Sequence, residues 1–501
     1  MSFEPRDGCG RPIPAGRRAM LRPDDGGSGA SMPLPERRAG DEGATAGRSP
    51  GERGDYLIAG GAVVSVDPDV GILVPGDVRV RDGEIVAVGR DLPADGAEVI
   101  DASRMIVMPG LIETHFHMWS SLGRNFIMDG GFDYFPAKWA TAAHYEPEDF
   151  YNSVLLGLVD AVNAGITTVH NWSHNTRTPA HADAELRAHR DAAARARYAY
   201  GHPDGLPVDQ ALEFADVDRV QREWFGSASP LQGLVHLGIN LRGPDLGDYD
   251  VFEREMEDVR ARGLPVCIHT MQGAETAVSG PDLEAKGYLG PDFLIAHYLA
   301  ATDADREALA RTGTPLSYSV HSELRLGEAG DPRRALLKNL AAGVSLSLSI
   351  DATSIAPVNL FEAMNVAWNM GIPWQGTDTA DLEPISLRKC IELTTIDGAR
   401  ALGLAGQVGS LTPGKRADVI LIRADDVNIA PAADVESAIV RSATPANVDT
   451  VMIDGRILKR GGELIAYDVE RIVREAAHSA HAVRLRAGGL LDPGSGEAPS
   501  F

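Results

Sequence analysis

The 501-residue sequence predicts an α/β protein, a (β/α)8 TIM-type barrel with a flanking β-sandwich built from both ends of the chain. Three observations predict it. Strand-like and helix-like stretches alternate over about 300 residues, the pattern of a parallel sheet with crossover helices. Short apolar strands with Gly-containing turns lie on both sides of that stretch and resemble each other in type. No Gly-x-Gly-x-x-Gly follows a strand, so an open, doubly wound sheet is the weaker alternative.

Taken in order, residues 1–54 are rich in Gly, Pro, Arg, Asp and Ser, show no hydrophobic period, and predict a disordered extension with no assigned function. Residues 55–108 change character. Positions 56–66 read as strand, Gly60-Gly61 turn, strand, and positions 76–88 alternate around Asp82-Gly83, a hairpin signal. Together they predict a small antiparallel sheet, too short to stand well alone. The apolar run Met105 to Met108 is broken by Pro109-Gly110 and restarts at Leu111-Ile112, where the barrel of residues 109–404 begins. Within it, helices are expected at 155–164, 183–199, 251–262, 303–311, 334–342 and 387–402. Gly165, Gly263 and Gly343 act as stops. Strands are expected at 166–170, 265–269, 293–297, 316–321 and 344–351. Residues 405–465 return to the sandwich through a turn and strand at 409–422 and a hairpin at 448–458. Residues 466–501 hold an amphipathic helix, 468–486, and a loose tail.

Composition narrows the class. No apolar run approaches the roughly 18 residues of a membrane helix, and no apolar segment follows the N-terminal charges as in a secretory leader. Cys9, Cys267 and Cys390 are few and unclustered, which fits a reducing cytoplasm. The net charge of −24 disfavours nucleic acid or an anionic membrane as partner. The expectation is a cytoplasmic protein acting on a small molecule. A homo-oligomer would use the outer sandwich or the terminal helix.

The chemistry concentrates at strand ends. His115 and His117 stand two apart, so in a strand both imidazoles face one way, as the first two ligands of a divalent ion require. His269 and His297 end two further strands, and Asp351 ends another. All C-terminal strand ends of such a barrel meet at one mouth. Two histidines from one strand, a third from a middle strand and a late aspartate form an N/O donor set suited to zinc or a similar ion.

With these residues in place the chain resembles the amidohydrolase superfamily over roughly residues 55–465. The resemblance is carried by Met108-Pro109-Gly110-Leu111-Ile112-Glu113-Thr114-His115-Phe116-His117, by Ala164-Gly165-Ile166-Thr167-Thr168-Val169, by His269, His297 and Asp351, and by Gly409-Ser410-Leu411-Thr412-Pro413-Gly414-Lys415-Arg416-Ala417-Asp418. Within that superfamily it is most similar to the cytosine deaminase and triazine chlorohydrolase branch. The resemblance implies His115, His117, His269 and Asp351 as ligands of one divalent ion, zinc first, with iron, manganese or cobalt as alternatives. No lysine occupies a strand end suited to bridging two metals. Such an ion lowers the pKa of a bound water toward neutrality. Asp351 would then move the proton to the leaving group, and His297 would orient the nucleophile or polarise the attacked centre.

One position departs from the family pattern. Where the deaminases carry His-x-x-Glu, this chain reads His269-Thr270-Met271-Gln272. A glutamine hydrogen-bonds a substrate but cannot shuttle a proton to a ring nitrogen. Further substrate-contacting residues are expected in His174, His202, Glu323 and Arg325, and Trp119 as a wall beside His117. Asp418 and Lys415 read as structural. The resulting expectation is a mononuclear metal-dependent hydrolase acting on a C–N bond, or a similar leaving group, of a small cyclic or aromatic molecule. The alternatives are a metal-assisted lyase or isomerase on the same fold and a non-catalytic ligand-binding barrel.

Overall fold

The computed structural model describes residues 52–126, 134–270, 278–327 and 330–489, all within one unit spanning Arg48–Leu491. Five strands come first: β1 (Tyr56–Val64), β2 (Ile72–Arg81), β3 (Glu84–Gly89), β4 (Glu98–Asp101) and β5 (Met105–Pro109). Eight follow: β6 (Leu111–Phe116), β7 (Ile166–Ser173), β8 (Arg195–Gly201), β9 (Val235–Leu241), β10 (Val266–His269), β11 (Phe293–Ala296), β12 (Pro315–Tyr318) and β13 (Ser345–Leu348). β14 (Val419–Arg423), β15 (Val448–Ile453) and β16 (Arg456–Lys459) complete the set.

Strands β6 to β13 pair in sequential order, every pair parallel, with helices crossing between them. The barrel closes where its first and last strands end. His117 N donates to Asp351 O at 2.8 Å, and Asp351 N donates to His115 O at 3.0 Å. Closure and the expected donor residues therefore share one seam.

The other eight strands form a single sheet in the order β16-β15-β14-β5-β1-β2-β3, with β4 paired to β1. The antiparallel pair of β5 and β14 joins the two flanks of the chain. Tyr56, Ile58, Val78, Val107, Val419, Leu421 and Met452 fill a core separate from that of the barrel. The sheet is mixed rather than antiparallel, because β1 runs parallel to both β4 and β5. Gly60-Gly61 is not a turn: β1 runs through it as a bulge, with Gly60 at φ +77° and register shifts on both sides. Asp82-Gly83 is the expected hairpin turn, both residues having positive φ.

Two contacts lock the sheet to the barrel. Arg195, at the start of β8, donates to both carboxylate oxygens of Asp418 at 2.8 and 3.0 Å, and both side chains are buried. Gly110, between β5 and β6, runs so close to β7 that an added Cβ would lie 2.1 Å from Thr167 Oγ1. Only glycine fits there.

Within the barrel three expectations are corrected. The helix expected at 183–199 is the helix Pro179–Ala192, ended by Ala193 in the left-handed region, and then β8. Alanine-rich sequence favours a helix, but pairing with β7 and β9 overrides that preference. The strand expected at 316–321 stops at Tyr318, and His321 and Glu323 lie on the helix Val320–Leu326. The helix expected at 387–402 is two, Leu387–Leu393 and Ile396–Ala401, split at Thr394-Thr395. The strand β9 and the helix Phe214–Trp224 were not anticipated. The terminal helix forms at Val469–Arg486, capped by Asp468, and packs on the helix Pro147–Asn163 through Asn152 and Ser479 at 3.0 Å. Among the described residues no helix is long and apolar enough to cross a membrane.

Candidate metal centre

β6 delivers His115 near its end, and His117 follows just beyond it. β10 ends on His269, and Asp351 comes three residues after β13. One donor atom from each of these four side chains lies within 4.8 Å of all the others. His117 Nε2 is 3.0 Å and His115 Nε2 3.4 Å from Asp351 Oδ1, and His115 Nε2 is 3.1 Å from His269 Nε2. Bonds of 2.0–2.1 Å to a tetrahedral centre place donors about 3.3 Å apart, so these spacings suit one small cation.

The electrostatics agree with that fit. Burial pushes the imidazoles of His115, His117 and His269 below the ordinary histidine value, His115 to about 4, and so keeps them neutral. Burial alone would raise the Asp351 carboxyl, but the His115 and His117 imidazoles facing it hold it well below the ordinary carboxylate range. Asp351 Oδ1 is buried and has no hydrogen-bond partner among the described residues, as an oxygen reserved for a cation would be. Asp351 Oδ2 instead accepts the Ser322 hydroxyl at 2.5 Å.

Several supports were not visible in the sequence. Glu113 is fully buried. It accepts His115 N at 2.8 Å and Ile350 N at 3.0 Å, so one carboxyl ties together the two strands that carry His115 and Asp351. Asp351 and His297 both sit at φ near +70°, a conformation that costs a non-glycine residue about 1–2 kcal/mol. The Trp172 ring lies 4.0 Å from that of His269 and 4.9 Å from that of His115, forming one wall of the cluster.

The remaining expected residues separate into groups. His297 lies beside the cluster, its ring stacked 5.2 Å from His269, and its Nδ1 is 3.0 Å from Glu323 Oε1. Burial opposes protonation of His297, but the Glu323 carboxylate outweighs it and lifts the imidazole to about 8. Glu323, expected as a substrate contact, is fully buried and reaches the site through His297. His174 Nε2 is 2.7 Å from His117 Nδ1. Trp119 is buried among Tyr145, Phe150 and His174, and lines a small cavity with Tyr134 and Lys138. His202 lies beyond β8, half-buried, with burial pushing its imidazole down to about 3. Arg325 is exposed in the last turn of its helix. Gln272 lies outside the described residues.

Comparison with known proteins follows the same lines. The amidohydrolase family model matches residues 106–458. A 5'-deoxyadenosine deaminase of Methanosarcina barkeri is 26% identical over 445 residues, which cover 86% of this chain and 99% of that protein. A 5-methylthioadenosine/S-adenosylhomocysteine deaminase of Desulforudis audaxviator is 28% identical over 431 residues, 83% of this chain and 96% of that protein. Among solved structures, a zinc-bound adenosine deaminase of Xanthomonas campestris superposes with a TM-score of 0.73 at 22% identity, covering 87% of this chain and all of that one. Atrazine chlorohydrolase of Arthrobacter aurescens, complexed with zinc, superposes at 0.72 and 20% identity, covering 85% of this chain and all of that one. These structural likenesses carry the fold.

Proposed function

We infer the activity of this chain, which belongs to the amidohydrolase family, from the convergence of His115, His117, His269 and Asp351. It is a hydrolase that cleaves a non-peptide C–N bond, or expels a comparable leaving group, on a small cyclic molecule. One divalent ion, zinc by the donor set, would be held by those four side chains. When bound, such an ion acts as a Lewis acid and brings a water's pKa toward neutrality. The observation that carries this reading is the gathering of four buried donors, three of them neutral imidazoles, at the closing seam of the barrel.

The chain's own residues supply the rest. Asp351 has one oxygen in the cluster and the other on Ser322, so it can take a proton from the attacking water and return it to the departing nitrogen. His297, protonated against Glu323, donates toward the negative charge that develops on a heteroatom attached to the attacked carbon. Trp172, buried against His269 and His115, holds those two rings in place. The deaminases of adenosine-type nucleosides among the relatives support a nitrogen heterocycle with an exocyclic leaving group. Gln272 cannot carry a proton to a ring nitrogen, which favours groups that depart without ring protonation.

The test is metal content followed by a substrate panel. The purified protein should take up one zinc, iron, manganese or cobalt ion per chain. It should then release ammonia, amine or chloride from a panel of aminopurine nucleosides and substituted triazines, with oxygen from labelled water entering the product. His115→Ala and Asp351→Asn should abolish both uptake and turnover. Full activity in those variants overturns the site, and product without labelled oxygen overturns hydrolysis.

A further inference from the structure

Resting on His117 as a ligand, we propose that His174 and Asp204, with Lys138 ion-paired behind them, form a directional hydrogen-bonded chain that fixes His117 in the tautomer whose Nε2 is free for the cation. The four residues come from four places: the end of β6, the loop after β7, the loop after β8, and the helix Tyr134–Ala142. His117 Nδ1 lies 2.7 Å from His174 Nε2. His174 Nδ1 lies 2.9 Å from Asp204 Oδ1, and Asp204 Oδ2 lies 3.1 Å from Lys138 Nζ.

The donor and acceptor chemistry sets the direction. An ionised carboxylate only accepts, so His174 Nδ1 carries a proton. A neutral imidazole has one N–H, so His174 Nε2 accepts. His117 Nδ1 must then donate, and its Nε2 lone pair points at the cluster, 3.0 Å from Asp351 Oδ1. The rival assignment, with both nitrogens of His174 protonated, forces the proton of His117 onto Nε2. That proton would be aimed at Asp351 and would close the cluster to a cation.

The loops are built to hold this geometry. Asn175 N donates to His202 O at 2.8 Å, and Asp204 N donates to Asn175 Oδ1 at 3.2 Å, so the segments carrying His174 and Asp204 are fastened to each other. The Lys138 ammonium balances the mostly buried Asp204 charge. His174 is therefore a positioning residue acting through His117 rather than a substrate contact, and Asp204 and Lys138 join it. Partners of this kind orient a ligating imidazole and raise its basicity, and their loss typically weakens metal binding by about 10–100-fold.

The experiment measures zinc affinity of the full chain by competition with a chromophoric chelator, together with the visible spectrum of the cobalt-substituted protein. His174→Leu and Asp204→Ala should bind zinc about 10–100-fold more weakly and shift the cobalt bands. His174→Gln, whose amide oxygen still accepts from His117 Nδ1, should recover affinity to within about threefold of the parent. A role confined to packing predicts no such rescue. In the zinc-loaded parent, nitrogen-15 spectra of the imidazoles should show His117 and His174 each protonated on Nδ1 alone, a measurement that needs no variant. Unchanged affinity in both loss variants, no recovery with glutamine, or His117 protonated on Nε2 each overturn the chain while leaving the proposed hydrolase intact. Failure of the parent to bind any of the four metals overturns both.

Discussion

Substituting Glu185 by glutamine should change how stability depends on pH, with little effect at acidic pH. Glu185 lies on the helix Pro179–Ala192, fully buried against β7. It accepts Asn171 Nδ2 at 2.7 Å and Ser173 Oγ at 2.9 Å. Burial outweighs these two bonds and pushes its carboxyl from 4.5 up to about 8. The folded chain therefore holds this proton more tightly than the unfolded chain does. The resulting stabilisation is complete below pH 4.5 and is lost as pH rises through about 8. Each pKa unit is worth about 1.4 kcal/mol, so the whole window amounts to about 5 kcal/mol, and the part between pH ~5.5 and ~8.5 to about 3 kcal/mol. Glutamine cannot ionise, and its amide fits the same two partners once the Asn171 amide turns over. Urea unfolding followed by far-ultraviolet circular dichroism should show Glu185→Gln gaining about 3 kcal/mol on the parent between those two pH values. Parallel curves for the two proteins would falsify the assignment of Glu185 as a protonated acid.

Three other outcomes are expected. Asp418→Ala strands the buried Arg195 guanidinium, and a urea series should show a loss of about 3–5 kcal/mol, where a loss under about 1 kcal/mol would mean the pair does not join sheet and barrel. Gly110→Ala places a methyl group against Thr167, so calorimetry should record a lower melting temperature from a cost of about 1–3 kcal/mol, and an unchanged transition would contradict the close approach. Glu323→Gln removes the anion that holds the proton on His297, and steady-state kinetics should show kcat reduced by about 10–100-fold with KM little changed; a change confined to KM would return Glu323 to substrate binding.

The four donors were legible because their chemistry and their position coincide in the sequence. His115 and His117 straddle one strand residue, and His269 and Asp351 come at or just after the end of an apolar run, so the barrel rule alone sends them to one mouth. The closing bonds between His117 and Asp351 show why that mouth is tight: the seam of the barrel is itself the site. β8 was misread for a physical reason. Its alanines favour a helix locally, while Arg195 looks solvent-exposed until Asp418, 223 positions away, supplies a buried partner, and Arg197 until it reaches the Leu402 carbonyl. Glu323 is expected at the substrate because His321-Ser322-Glu323-Leu324-Arg325 follows a strand-like run where relatives carry substrate-contacting residues. The chain instead turns at Ser319 into a helix, which buries Glu323 beneath His297.

Asp204 and Lys138 show where sequence reading stops for a different reason. Asp204 stands in Pro203-Asp204-Gly205, which any reader takes for a turn, and Lys138 stands in a short helix with no neighbouring motif. Neither residue type nor spacing distinguishes them from surface charges. They acquire the proposed role only because three strand ends and one loop helix meet over His117, so that two hydrogen bonds run from Asp204 through His174 to His117 Nδ1 with the Lys138 ammonium behind Asp204. The four donors are set by local pattern plus fold, and the partners behind them by fold alone. On the proposed site, a homologue that kept the four donors but lost Asp204 would look identical at the level of motif and yet hold a metal more weakly, and comparing zinc affinities across such natural variants tests that division without any engineered substitution.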